Sequence, residues 1–301
     1  MPQNFYELVW IFIVYAFIGW CTEVSYATLD TGKFVNRGFL NGPYCPIYGV
    51  GVVIVVAILT PLQDSLTILF IGSFLLTSTL EFITGFVLEK VFHNKWWDYS
   101  EFPFNIKGYV CLKFSIYWGL ACTFVIKIIH PIIYGIIVWI PHTLGVVLVS
   151  IFMCVFFVDL GITVATILKF NKRLKIMDEM AASIHKLSDE IGESIYENVS
   201  GAIEKSEEFQ DNHAELLDKI AETKEKLAEK QKEGMAILEE KKRERAELME
   251  KYEKLFEERS LGFKRLVKAF PDMKSRDNSE ALQKFKERLS INAGRRNQKK
   301  G

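Results

Sequence analysis

The chain has 301 residues, 50% hydrophobic and 25% charged, with 37 basic side chains against 37 acidic ones. A formal charge of zero shows no broad basic excess, and with no recognisable nucleic-acid-binding motif no nucleic acid is expected as a partner. The averages hide two unlike parts: 17 of the first 169 residues are charged, against 57 of the remaining 132. The first part suits hydrocarbon and the second suits water.

A helix needs about 20 mostly apolar residues to cross a bilayer. Five stretches qualify as spans: about Phe5–Tyr26, Ile47–Leu62, Leu66–Leu88, Tyr109–Ile129 and Thr143–Leu168. The first has no basic residues ahead of it and ends at Glu23 without a small-residue cleavage site, so it reads as a retained helix. Pro131–Pro141 is apolar but too short to cross, and is expected as an interfacial or re-entrant turn. Cys21, Cys45, Cys111, Cys122 and Cys154 form no CxxC pair and read as buried small hydrophobes.

Lysine and arginine fall in alternate connections. Lys33 and Arg37 lie between spans 1 and 2, Lys90, Lys95 and Lys107 between 3 and 4, and Lys169, Lys172, Arg173 and Lys175 after 5. The other connections carry none. The positive-inside rule then places the N-terminus outside and the C-terminus in the cytoplasm of a multi-pass cell-membrane protein.

Ionisable residues inside apolar helices are costly and usually face a bundle interior. Glu23, Glu81 and Asp159 each lie roughly 22–27 Å from the outer end of their helix at about 1.5 Å per residue. Glu89 follows Glu81 on the same side of its helix. The expected arrangement is one polar cluster of Glu23, Glu81, Glu89 and Asp159, with Arg37 and Lys113 as counter-charges and Asn41 nearby. Asp98 is placed to pair with Arg37. The cluster is either a set of packing ion pairs or a cation, proton or substrate site open to the cytoplasm.

The two inner connections are patterned. Asn36–Gly49 reads NRGFLNGPYCPIYG, too rich in Gly, Pro and Asn for a regular helix, and is expected to fold against the bundle. His93–Tyr99 reads HNKWWDY, with aromatics fit for an interfacial anchor or for a lid over the acids. These segments, with Gly19-Trp20-x-x-Glu23, Leu80-Glu81-x3-Gly85-x3-Glu89-Lys90, Phe104-Asn105-Ile106-x-Gly108, Cys111-Leu112-Lys113 and His130-Pro131, resemble the bacterial family labelled putative ABC-transporter type IV, or putative ABC transporter permease. The resemblance covers roughly residues 5–165. It implies a multi-pass membrane protein of Gram-positive-type bacteria, and a transport subunit of this kind works with a separate ATPase chain.

Beyond Leu174 apolar residues recur at helical spacing: Leu174, Met177, Ile184, Leu187, Ile191, Ile195, Val199, Ile203, then Leu216, Ile220, Leu227, Leu238, Leu248, Tyr252 and Leu255. Such a stripe needs partner helices, within the chain or in a homo-oligomer through residues 174–258. Irregular spacing near Gly201 and Gly234 predicts a hairpin or broken coil. Residues 170–258 carry a net −8 and residues 259–301 a net +9. The basic end holds an amphipathic helix stopped by Pro271 and a second one over about Ser279–Leu289. Its candidate ligands are anionic membrane lipids or, preferred, the acidic coil. The Asn198-Val-Ser200 sequon carries no meaning on a cytoplasmic segment.

The domains are therefore 1–169, a transmembrane bundle; 170–258, a charged helical or coiled-coil region; and 259–301, a basic amphipathic tail. The fold class is all-α. The chain contains no GxxxxGK[ST], HExxH, GxSxG or GxGxxG, and its five histidines are scattered. No cofactor, metal or catalytic residue is assigned. The expected function is a transporter subunit with a cytoplasm-facing polar site. The alternatives are a membrane scaffold or sensor presenting a coil, and a lipid-modifying intramembrane enzyme using the same carboxylates.

Overall fold

The computed structural model describes residues 2, 4–211, 217–257 and 261–298, with side chains given outside 197–199, 201–231, 257, 261 and 290–298. Two compact units emerge, Met1–Lys172 with Ser260–Gly301, and Arg173–Arg259.

The first unit is a helix bundle. Helix α1 (Phe5–Thr31) starts where Asn4 caps the Glu7 amide and stops at Gly32, whose φ of 66° needs no Cβ. Helix α2 (Pro46–Leu59) opens on a proline and continues as a 3₁₀ turn to Leu62. Helix α3 (Leu66–Phe92) is capped by Ser65. A loop with short strands β1 (Asn94–Lys95), β2 (Asn105–Ile106) and β3 (Val110–Cys111) leads to α4 (Leu112–Phe124), and β2 pairs with β3. A π-turn over Val125–Ile129 joins α4 to α5 (His130–Trp139), and α6 runs His142–Asp211.

Among the described residues four helices are long and apolar enough to cross a membrane: Phe5–Thr31, Leu66–Phe92, Leu112–Trp139 and His142–Tyr196. Their outward faces carry exposed Ile, Leu, Val and Phe, as expected of surfaces that meet lipid. The segment read as the second span is the shorter apolar helix Pro46–Leu62. It packs closely on α1, where a Cβ on Gly19 would collide with the Tyr48 ring and one on Gly49 with the Phe12 carbonyl.

Pro131–Pro141 is not a re-entrant turn. Its residues up to Trp139 extend the Leu112–Trp139 helix. Proline lacks an N–H and its ring crowds the preceding turn, which normally breaks a helix. Here the π-turn just ahead of Pro131 widens the backbone and lets the helix continue.

The C-terminal segment belongs to this same unit. Helix α8 (Leu261–Ala269), strand β4 (Lys274–Ser275) and helix α9 (Ser279–Gln298) form a small module against the loop-bearing end of the bundle. Strand β4 adds antiparallel to β1, and the Arg276 amide donates to the His93 carbonyl at 2.9 Å. Phe263 and Phe285 close on the buried Phe170, and Phe270 meets the edge of Trp96 at 4.9 Å. Within this unit the basic segment docks on the two patterned loops. Its apolar face finds aromatic partners there, and backbone pairing fixes its register.

The second unit is a helical hairpin. The distal part of α6 and helix α7 (Leu217–Glu257) run antiparallel, tied by Lys241 to Glu190 at 2.9 Å and by Arg245 Nε to Ser188 Oγ at 2.8 Å. Helix runs through Gly201 and Gly234 without interruption. The side chains of Val199, Ile203, Ile220 and Leu227, residue Leu216 and the Asn198 side chain lie outside the described residues.

Candidate functional site

Every acid of the expected cluster lies toward the loop-bearing end, but they form separate stations rather than one group. The residue class that divides them is tyrosine. Tyr48 donates to Glu23 at 2.6 Å, Tyr99 to Glu81 at 3.1 Å and Tyr109 to Glu89 at 2.8 Å; at the opposite end Tyr134 donates to Glu7 at 2.8 Å. A phenol is a neutral donor, so it satisfies a carboxylate in an apolar helix without bringing in a second charge.

Asp159 is a pin for the Asn36–Cys45 loop. It accepts from the Asn41 amide (3.2 Å), the Asn41 side chain (2.9 Å), the Gly42 amide (2.7 Å) and Thr163 (3.4 Å). Within the loop, Asn36 accepts from Trp20 at 2.8 Å and donates to the Asn41 carbonyl at 2.7 Å. The Cys45 amide ties back to the Ala16 carbonyl at 2.9 Å, and Leu40 is fully buried. From the C-terminal module, Arg265 donates to the carbonyls of Gly38, Leu40 and Phe39 at 2.9, 2.9 and 3.0 Å. The loop is thus held by a carboxylate on its amides and a guanidinium on its carbonyls.

Arg37 reaches Glu23 at 3.8 Å, one of the two expected counter-charges. The other, Lys113, meets no acid at ion-pair distance among the described residues; it is exposed and its ammonium lies over the rings of Phe102 and Phe114, 5.6 and 5.8 Å from their centroids. Asp98 does not pair with Arg37. It takes Lys95 at 2.9 Å, Lys274 at 2.7 Å and both groups of Ser100. Burial pushes the Asp98 carboxyl up, but the bonds from Lys274, Ser100 and Lys95 outweigh it and hold the group well below the usual carboxylate range. The same bond raises the Lys274 ammonium.

The second loop turns its aromatics inward. Trp96 is buried against Phe39, Phe92 and Phe270. Tyr99 stacks on Phe114 at 4.8 Å and points its hydroxyl at Glu81. Burial and the nearby Glu81 carboxylate push the Tyr99 phenol upward, so it stays a donor. His93 closes α3 in the left-handed conformation and meets Asp277 at 2.9 Å.

Glu81 stands apart. It is 8% exposed, and its Oε2 has no hydrogen-bond partner among the described residues. It borders a cavity of about 100 Å³ between α2, α3 and α4, lined with Tyr48, Val52, Leu80, Trp118 and Cys122 among others. Tyr48 and Trp118 meet edge to face at 5.5 Å, and the Trp118 indole approaches the same carboxylate. Sequence reasoning missed Tyr48, Tyr99, Tyr109, Trp118 and Arg265. The first two sit in the patterned segments, and that was the available signal. No group of three or more His, Cys, Asp or Glu suited to a metal ion occurs among the described residues.

Helices long and apolar enough to cross a membrane, with exposed apolar faces, mark a membrane protein. The chain belongs to the family described as putative ABC-transporter type IV, which it matches over residues 10–164. Comparison with curated proteins and with solved structures gives no match.

Proposed function

We propose that the chain is the membrane-spanning subunit of a transport system and that its cargo site is the cavity at Glu81. One observation carries this reading: a buried carboxylate, one of whose oxygens makes no hydrogen bond, belongs to a side chain that lines a pocket between three apolar helices. An unsatisfied buried acceptor costs about 1–3 kcal/mol, more when charged, and a bound cargo would recover that cost. The Lys and Arg alternation supports a cytoplasmic position for the loop-bearing end. There an ATPase chain, as the family description suggests, would meet the two patterned loops and the docked module.

The test is affinity purification of the intact protein from its native membrane. A nucleotide-hydrolysing chain is expected to co-purify in fixed proportion. A stable complex without one would overturn the subunit assignment.

The hairpin favours a second reading, a scaffold. Its exposed Tyr196, Met235 and Ile237 offer an apolar contact to a partner. A scaffold tolerates Glu81→Gln and fails on charging Met235 and Ile237; a transport subunit shows the reverse.

A further inference from the structure

We infer that the Glu81 cavity binds a small organic ammonium ion, its charged nitrogen against Glu81 Oε2 and its carbon skeleton against the Tyr48 and Trp118 rings. The inference rests on the reading of this cavity as a cargo site and narrows the class of cargo.

Volume comes first. A cavity of about 100 Å³ is several times the roughly 10–15 Å³ that one water needs. Its walls offer little to water: Ile47, Val52, Leu80 and Cys122 are apolar, and the Tyr48 hydroxyl is already given to Glu23. A group that fills this space must be mostly carbon.

Charge comes second. The free Oε2 is an acceptor on the one acidic side chain lining the cavity, and no lysine or arginine lies within ion-pair distance of it among the described residues. A neutral apolar molecule would leave that oxygen unsatisfied, and an anion would be repelled. A cation answers it.

The kind of cation comes third. A sodium, potassium, calcium or magnesium ion must exchange its hydration shell for several oxygens, and the described side chains lining the cavity bring only those of Glu81, Thr77 and Tyr48. An ammonium carried on carbon needs few acceptors, buries its skeleton against the aliphatic walls and is attracted to aromatic faces within about 6 Å. Trp118 and Tyr48, whose rings meet edge to face at 5.5 Å, line the cavity beside Glu81. Tyr99, braced on Phe114, holds the other oxygen and so orients the vacant one.

The experiment is calorimetric titration of the purified full-length protein in detergent at neutral pH. The probes are tert-butylammonium, its neutral isostere tert-butanol, and sodium and potassium chloride. Saturable binding of tert-butylammonium alone is expected, weakened roughly tenfold or more by Glu81→Gln and unchanged by Glu101→Gln, an exposed acid outside the cavity. Cys122→Phe, which fills the space and keeps the carboxylate, is expected to abolish it. Equal binding of tert-butanol would reduce the cavity to an apolar hole and overturn the inference. So would an unaltered affinity in a folded Glu81→Gln protein, binding of the inorganic ions in place of the amine, or no binding of the amine at all. The wild-type comparison of amine with alcohol needs no variant, so a misfolded mutant leaves the test intact. An ATPase that co-purifies with a chain that binds no amine would leave a transport subunit with another cargo. An amine site on a chain with no ATPase would keep the ligand and remove the subunit assignment.

Discussion

Asp159 and Glu81 are both carboxylates set in apolar helices at the same end of the bundle. Around Asp159 the loop folds so that four donors converge, two of them backbone amides. Around Glu81 one phenol bonds one oxygen, the Trp118 indole approaches the carboxylate, the other oxygen makes no hydrogen bond, and the side chain lines a cavity. The same side-chain chemistry thus serves two ends. A carboxylate with its acceptor capacity filled organises backbone, and one with capacity in reserve is available to a ligand. Counting donors, rather than noting an acid in a membrane helix, tells the two apart.

The contrast breaks most visibly at Asp159. Asp159→Leu strands the Asn41 and Gly42 amides and should cost about 2–4 kcal/mol, read as a lowered melting temperature in detergent. An unchanged melt would mean the loop is held without it. Next is Arg265→Ala, which frees three carbonyls and should loosen the C-terminal module by about 2 kcal/mol. Faster amide exchange across residues 38–42 and 263–275 is the measurement. Tyr99→Phe removes the bond Glu81 receives from the loop and should cost about 1 kcal/mol in the same melt.

The Asp98–Lys274 contact gives a pH dependence. The Asp98 carboxyl is held low, so its contribution is present above the ordinary aspartate value near 4 and is lost as pH falls through the depressed one. The Lys274 ammonium is raised, so its contribution is present below the ordinary lysine value near 10.4 and is lost as pH rises through the raised one. The contribution of this pair should therefore be flat between about pH 4 and 10 and weaken on both sides. Lys274 is well exposed, so the change is below about 1 kcal/mol and shrinks with salt. Trp96 fluorescence, through its contact with Phe270, should follow it. The smallest loss belongs to Glu81→Gln. It breaks no bond at Oε2 and removes a buried charge, so stability should hold or rise, by up to about 1–3 kcal/mol, while ligand binding falls, the reverse of Asp159→Leu.

Much of this was readable along the chain. Long apolar runs marked the helices, because hydrocarbon imposes length and composition. Isolated acids within those runs marked the end that matters, and the Gly, Pro and Asn of Asn36–Gly49 marked irregular backbone. Partnerships were harder to read. A search for counter-charges favours Arg37 and Lys113, whereas the glutamates of α1 and α3 turn to Tyr134, Tyr48, Tyr99 and Tyr109. Hydropathy counts tyrosine as neither acid nor base and gives it no pairing signal. Arg265 lies 225 residues from Leu40, and an arginine on three carbonyls leaves no complementary side chain to find. Lys274 won Asp98 over Arg37 because a strand pairing brought it there. Backbone pairing of two-residue strands has no periodicity to detect.

The π-turn over Val125–Ile129 has a consequence for the angular phase of the helix that follows. One extra residue in a turn rotates everything beyond it by about 100° relative to a regular helix. That rotation brings His130 inward, buried beside Tyr15 with its Nδ1 3.4 Å from the phenol oxygen. Deleting one residue from 125–129 would restore the regular phase, swing His130 and Ile137 off the core, and leave Pro131 crowding an ordinary α-turn. The insertion works as a clutch: it lets the Leu112–Trp139 span present one face to α3 before the bulge and another to α1 after it.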